Sequence, residues 1–379
     1  MNENNNILFV CGDKSAEIYL GKLLEKISKI DSNIKKFVLG GENVKNLSDE
    51  FIEDIVSYDA HGFFSPFTQF FKFLKLLSKV KKILIKHKIN LVVLLDYYGF
   101  NIRVSKLAKK LGIKVVYYIT PQVWASRKNR IKKIKKYVDF VINIYPFERD
   151  IFLNNGIKAY YFGHPITDII SDTSYVEKDK NLIGIFPGSR KQVISWNLPV
   201  MLKILEHYIE TDPVKDKKFV IFGFQKYEKI YQKIIYRYLK KDYHDRLIFC
   251  YSNRDELRKK IYVAISVSGT VVLENVFYDV PTIVVYNLPL SMYWLIKQLV
   301  YIKYISLPNI MLNKEVIPEF IKNINPKDIC LIIEKIYNDE LFLGNILTEY
   351  KKIKNILFVN KNVSEYVARH IINYLYEKN

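Results

Sequence analysis

The chain lacks any uninterrupted apolar run of the ~20 residues that cross a bilayer, so no membrane span is expected among its 379 residues. Cysteine is scarce: Cys11, Cys250 and Cys330 are far apart and odd in number. That spacing offers neither a disulfide framework nor a zinc site, and predicts reduced, buried thiols in a cytoplasmic protein. The opening Met1-Asn2-Glu3-Asn4 carries no basic stretch ahead of its short apolar run, so no signal peptide is read. There is no Asp-x-Asp pair to hold a divalent ion against a diphosphate, no Walker lysine loop and no Ser/His/Asp order. Neither a metal nor a cofactor is expected. Acid is in deficit, with 39 Asp and Glu against 59 Lys and Arg, a formal charge of +20. Such an excess fits an anionic partner: nucleic acid, an anionic membrane surface or a phosphorylated substrate. It fits equally a lysine-rich coding bias, because Asn, Ile, Tyr and Lys are abundant together. No nucleic-acid-binding motif accompanies the charge, so nucleic acid is not the expected partner.

What is present is a rhythm. Short β-branched runs alternate with longer segments of helical period, and the length favours two domains. The first series of strands reads Ile7–Cys11, Phe37–Leu39, Leu91–Leu95, Lys114–Ile119, Phe140–Ile144 and Tyr160–Phe162. Helical patterns lie between them, among them Ile18–Ile30, Ser65–His87 and Ile102–Leu111. After a polar stretch at Asp172–Asn181 the rhythm restarts with Leu182–Phe186, Phe219–Phe222, Leu247–Cys250, Val263–Val267 and Thr282–Val285. Near-continuous Val/Ile/Leu without alternation marks strands buried on both faces, hence parallel sheets. The expected fold is α/β: two doubly wound, Rossmann-like domains facing across a cleft, followed by C-terminal helices. The boundaries read as 1–171, 172–345 and a helical segment 346–379.

Ligands of such sheets bind at the carboxyl ends of strands, where helices begin. In the second domain Pro187-Gly188-Ser189-Arg190 offers a glycine for close backbone approach, a helix start for an anion and a cation able to grip two phosphate oxygens. Ser268-Gly269-Thr270 opens another helix, and Glu274, one turn on, can accept hydrogen bonds from ribose hydroxyls. Both turns also read as plain helix caps, and Glu274 as a solvated carboxylate. Two anion-ready helix starts suit a nucleoside diphosphate. In the first domain Asp96 follows the strand Leu91–Leu95 and reads as a general base or as a turn aspartate. The aromatic stretch from Tyr117 to Trp124 walls a sugar or acyl pocket, or is core. Gly163-His164-Pro165 reads as a hinge turn or a substrate contact.

Taken in order, these turns resemble lipid A disaccharide synthase along nearly the full chain. The resemblance rests on His61-Gly62-Phe63, on Asp96 with Phe100-Asn101 and Arg103, and on Pro121-Gln122-Val123-Trp124-Ala125 and Pro146-Phe147-Glu148. It continues through Phe162-Gly163-His164-Pro165, Pro187-Gly188-Ser189-Arg190, Ser268-Gly269-Thr270 with Leu273-Glu274, Tyr304–Ile310 and Val316–Phe320. It implies an inverting GT-B transferase that joins a 2,3-diacylglucosamine from a UDP donor to the 6-hydroxyl of 2,3-diacylglucosamine 1-phosphate. Asp96 is then the base. Gly188, Ser189, Arg190, Ser268, Gly269, Thr270, Glu274, Asn309 and Glu319 hold the donor, and Asp13, Ser15, Asn101, Arg103 and Gln122 lie on the acceptor side. The first loop departs from the family's Gly-Glu-x-Ser-Gly-Asp at Asp13, Ala16 and Glu17. Gly99 stands where the family repeats an Asp, Ser126 replaces a Trp, and Val193 a Glu.

The substrates so implied are lipids, which bears on residues 63–85. There Phe63, Phe64, Phe67, Phe70, Phe71 and Leu74 are interleaved with lysines. Such a pattern fits a helix lying in the interface of an anionic inner membrane, or an ordinary helix packed on its sheet. The first option places the protein peripherally on the inner face of that membrane. A homodimer is left open. Rival readings are another UDP-sugar enzyme of this fold, an N-acetylglucosaminyltransferase or an epimerase, or a non-catalytic nucleotide-sugar or lipid-binding paralogue.

Overall fold

The computed structural model describes residues 5–57, 66–125, 129–170, 176–211, 216–289 and 303–377. The chain divides into two compact units, one of residues 1–171 with 356–379, the other of residues 172–355. Each is built on its own parallel sheet, the α/β class that the strand rhythm predicts.

In the first unit the strands are β1 (Asn6–Cys11), β2 (Lys35–Gly40), β3 (Glu50–Asp54), β4 (Leu91–Leu95), β5 (Lys114–Tyr118), β6 (Phe140–Asn143) and β7 (Lys158–Tyr161). They lie in the order β3-β2-β1-β4-β5-β6-β7. Central strands such as β1 and β4 are buried along their whole length, as a sheet covered on both faces requires. The second unit carries β8 (Asp179–Phe186), β9 (Lys218–Phe222), β10 (Leu247–Cys250), β11 (Ile261–Ser266), β12 (Thr282–Tyr286) and β13 (Glu319–Ile321), ordered β10-β9-β8-β11-β12-β13. Strand order therefore reverses between β1 and β4 in one unit and between β8 and β11 in the other. Those two switch points are where the crevices of such sheets open.

Two strands fall outside the apolar runs that mark the others. Both β3, with the sequence Glu-Phe-Ile-Glu-Asp, and β13 are sheet edges and only partly buried. Charge on an edge strand blocks pairing with another chain, and it also erases the apolar run by which a strand is recognised. The helices Lys14–Ile30 and Tyr98–Lys110 begin four residues before the expected Ile18 and Ile102, because their first turns are polar or aromatic.

The last helix, Val363–Tyr376, belongs to the first unit. It packs along helix Lys14–Ile30, and the Asp168 carboxylate accepts from the amides of Val363 and Ser364 at 2.8 and 2.6 Å. Lys26 pairs with Glu365. Gly163-His164-Pro165 takes part in this anchoring: the His164 amide donates to the Leu357 carbonyl at 3.1 Å. The His164 ring, fully buried, accepts from the Ile166 amide at 3.1 Å. Burial holds its imidazole neutral, with a pKa lowered to about 3.

Candidate functional site

At the first unit's switch point, pairing of Cys11 with Leu95 brings the exits of β1 and β4 to one level. Gly12 and Asp13 therefore lie beside Asp96 and Tyr97. The approach is close enough to require glycine: a Cβ on Gly12 would fall 2.4 Å from the Tyr97 ring.

Asp96 sits in a turn held against its own preference. Asp96 and Tyr97 have φ of +46° and +41°, and Ile119, across from them at the end of β5, has +62°. A left-handed, β-branched residue is a marked outlier, and each such residue costs of order 1–3 kcal/mol. The turn persists because it is gripped from three sides. The Asp96 amide donates to the Ile119 carbonyl at 3.0 Å, the Asn101 side chain donates to the Asp96 carbonyl at 2.7 Å, and the Tyr117 hydroxyl donates to that same carbonyl. The backbone is spent on positioning, and the carboxylate is carried on a fixed base at a strand end.

The acceptor-side candidates divide. Asp13 caps helix Lys14–Ile30, accepting from the amides of Ser15 at 2.8 Å and Ala16 at 3.3 Å. Asn101 is fully buried and holds the carbonyls of Leu95 and Asp96, so its part is to support the turn. Arg103 turns back to the Gly99 carbonyl and lies over the Phe73 ring at 4.9 Å. Gln122 is exposed on the loop after β5. Of the departures in the first loop, Glu17 is buried and accepts from the Asn43 amide and side chain at 2.9 and 3.0 Å, which ties it to its own sheet. Burial raises its pKa in spite of those donors. A side chain at Gly99 would meet nothing within 4 Å. Tyr117 and Tyr118 are core rather than pocket wall. His61, Gly62, Phe63, Phe64 and Ser126 lie outside the described residues, as do the side chains of Phe67 and Phe70.

In the second unit, Ser266 pairs with Phe186, which sets the Pro187–Arg190 turn beside Ser268–Thr270. Gly188 has φ +108°, and a Cβ there would approach Val193 Cγ1 to 2.7 Å; only glycine makes this turn without strain. Ser189 and Arg190 stand exposed at the start of helix Lys191–Thr211. Helix Thr270–Phe277 begins at Gly269, which has no side chain of its own to cap the helix amides.

Ser268, Asn309 and Glu319 come together in one network. The Ser268 hydroxyl donates to the Ile305 carbonyl at 2.6 Å. The Glu319 carboxylate accepts from the amides of Ile305 and Ser306, both at 2.8 Å, and from the Ser306 hydroxyl at 2.6 Å. The Asn309 side chain, fully buried, donates to Glu319 at 2.8 Å and accepts from the amides of Val316 and Ile317. These groups shape the 305–317 segment beside the Ser268 turn.

Glu274 is not a solvated helix carboxylate. One of its oxygens accepts from Arg258, whose side chain is 3% exposed. The guanidinium lies over the rings of Phe186 and Tyr278 at 5.4 and 5.8 Å. Sequence reasoning missed Arg258 because Arg254–Lys260 reads as a basic, solvated helix. In the structure Arg258 and Lys259 are buried, at 3% and 6% exposure. No group of three or more His, Cys, Asp or Glu able to hold a metal ion occurs among the described residues.

The family described as lipid-A-disaccharide synthetase matches residues 7–363. A lipid-A-disaccharide synthase of Trichlorobacter lovleyi is 30% identical over 350 residues, 88% of each chain. Another, from Coxiella burnetii, is 26% identical over 386 residues, covering 98% of this chain and 99% of that one. Among solved structures, UDP-GlcNAc 2-epimerase from Neisseria meningitidis bound to UDP-GlcNAc is similar with a TM-score of 0.62. That alignment has 11% identity and covers 97% of this chain and 100% of the other. At such identity the likeness is one of fold.

Proposed function

The chain belongs to the lipid-A-disaccharide synthetase family, glycosyltransferases of lipid A biosynthesis, and on that footing we propose that it transfers a 2,3-diacylglucosamine from its UDP donor to the 6-hydroxyl of 2,3-diacylglucosamine 1-phosphate. The product is a β-1,6-linked disaccharide, with UDP released. The observation that carries this reading is the Asp96 turn, strained in φ and gripped from three sides at a switch point.

Asp96 takes the proton of the acceptor hydroxyl as its oxygen attacks the anomeric carbon in line. The bond from that carbon to the phosphate oxygen breaks, and the electron pair leaves with UDP. Charge growing on the diphosphate is met by Arg190 and by the amides at Gly188–Ser189 and Ser268–Thr270. Glu274 accepts from the ribose hydroxyls, with Arg258 fixing its carboxylate. Asn309 and Glu319 serve the donor through the segment they hold. Asp13, Ser15, Gln122 and Arg103 border the acceptor.

The test is release of UDP from the acylated donor, followed with and without the acylated sugar phosphate. Release should depend on the acceptor. Consumption of UDP-GlcNAc with no acceptor present would instead support the epimerase reading.

No described helix is long and apolar enough to cross a membrane. Helix Pro66–Lys86 buries Leu76, Val80, Ile83 and Leu84 in the core, yet leaves Phe71 67% and Leu74 45% exposed with lysines around them. A stripe of that kind suits an anionic lipid surface, where each lysine contributes about 1 kcal/mol. Phe71→Ser with Leu74→Ser should release the protein from anionic vesicles in co-sedimentation and leave its melt cooperative. Undiminished co-sedimentation would remove the docking assignment.

A further inference from the structure

Helix Tyr98–Lys110 opens directly after the Asp96 turn, and two arginines converge on its first turn. Arg130 lays its guanidinium over the Tyr98 ring, 4.5 Å from the centroid. Arg103 reaches back to the Gly99 carbonyl and lies over Phe73, 4.9 Å from that centroid. Neither is a core residue: Arg103 is exposed and Arg130 partly so. Arg130 is itself the first residue of helix Arg130–Tyr137. The two helices pack together and follow the neighbouring strands β4 and β5, paired in register from Leu91 with Lys114 to Leu95 with Tyr118. Both helices therefore start at one edge of the sheet, the edge that bears Asp96.

A helix start favours an anion, yet neither of these first turns contains an acid, and each has a guanidinium at it. Two cations at two adjoining helix starts repel each other and oppose both dipoles, and an anion bound there relieves all of these terms. A ring fixes a guanidinium through its face without consuming its N–H donors. The electrostatics agree with the geometry. Burial raises the Tyr98 phenol's pKa, while Arg130 and then Arg103 pull it down, so both cations act on that hydroxyl. Burial also drives up Tyr117, whose hydroxyl holds the Asp96 carbonyl. Asp96 adds to that rise and Arg130 opposes it, so one hydroxyl feels both charges. An apolar surface lies next to this cationic one: on the helix that carries Phe73, Phe71 and Leu74 are exposed.

We propose that Arg130 and Arg103, with the Tyr98 hydroxyl, bind the phosphate of the acylated sugar acceptor, so that the far end of the same sugar is presented to Asp96. A phosphomonoester offers a charge of about −2 and three acceptor oxygens, which two guanidinium forks can share. Naming the acceptor as the source of that phosphate rests on the transferase reading; the anion site itself does not. The phosphate of a bulk phospholipid shares this chemistry, and the experiment separates the two sources.

Turnover is compared on short-chain 2,3-diacylglucosamine 1-phosphate and on the same sugar with a free 1-hydroxyl. Wild type should prefer the phosphate. Arg130→Gln and Arg103→Gln should each lower kcat/KM on the phosphate by ~10- to 10²-fold, the loss of a charged hydrogen bond, through KM rather than kcat. The loss on the free-hydroxyl sugar should be far smaller, with melting temperature and UDP affinity held. Calorimetry with the sugar phosphate and no donor should show the same weakening. Equal losses on both acceptors, or an unchanged kcat/KM on the phosphate, overturn the proposal. Variants that keep the acceptor preference and instead leave anionic vesicles in co-sedimentation assign the arginines to bulk phospholipid, which overturns it as well. A wild type that binds the sugar phosphate but makes no disaccharide, with binding lost in the variants, removes the transferase reading and upholds the anion site. If Arg130→Gln loses its cooperative melt, Arg130→Lys, which keeps the charge without the fork, decides in its place together with Arg103→Gln.

Discussion

Asp96→Asn lowers turnover by ~10²–10⁴-fold, the effect of removing a general base, and leaves UDP affinity where it was. The separation follows from where the residue stands. Asp96 is carried by the first unit's β4, while the turns assigned to UDP are carried by the second unit's β8 and β11. Asparagine is nearly isosteric, and the contacts of the Asp96 amide and carbonyl that grip the turn are kept in the variant. The variant should therefore fold and bind UDP while failing to deprotonate the acceptor hydroxyl. Steady-state turnover alongside UDP calorimetry reads both halves. A variant that keeps more than about a tenth of wild-type turnover, short of the least loss expected of a missing base, would make Asp96 a turn residue only.

Arg190→Ala weakens UDP binding by ~1.5–3 kcal/mol, the amount typical of a lost charged hydrogen bond. Arg190 is exposed at a helix start, so truncating it should leave the fold intact and calorimetry should report the loss directly. Glu274 calls for a different substitution. Its carboxylate is paired with Arg258, and removing one member of a buried pair leaves an uncompensated cation, at about 3–5 kcal/mol when burial is complete. Glu274 keeps 32% of its side chain exposed, so the loss in Glu274→Ala should be smaller, yet visible as a lowered melting temperature. Glu274→Gln retains an acceptor for Arg258, which makes it the cleaner probe of ribose binding. Unchanged UDP affinity in both Arg190→Ala and Glu274→Gln would remove the nucleotide site assigned here.

The sheets were legible because their central strands are continuous Val/Ile/Leu runs with one structural use. Every turn singled out at the switch points ends such a run, so strand reading and site reading reinforce each other there. What escaped the sequence depends on context that local pattern does not carry. The edge strands β3 and β13 are short, and Glu50, Glu53, Asp54 and Glu319 break their apolar runs. Arg258 looks like its solvated neighbour Lys260 until the Phe186 and Tyr278 rings are seen against it. Ile119 has nothing local to announce a left-handed φ; the strain comes from the Asp96 amide and the Ile142 carbonyl that its peptide must meet. The resemblance puts Asn101 on the acceptor side, and its amide donates to the Leu95 and Asp96 carbonyls, a contact that no local pattern announces. That placement makes it a support of the Asp96 turn.

The central claim is that this chain makes a glycosidic bond between two acylated glucosamines with Asp96 as base and Arg190 with the helix-start amides as the cationic side. Its most direct test is the mass and linkage of the product formed by pure protein from UDP-2,3-diacylglucosamine and 2,3-diacylglucosamine 1-phosphate in the presence of EDTA. The account predicts a β-1,6-linked disaccharide 1-phosphate in one-to-one yield with UDP. Recovery of the donor's free sugar in place of disaccharide, or a strict requirement for added magnesium, would contradict it.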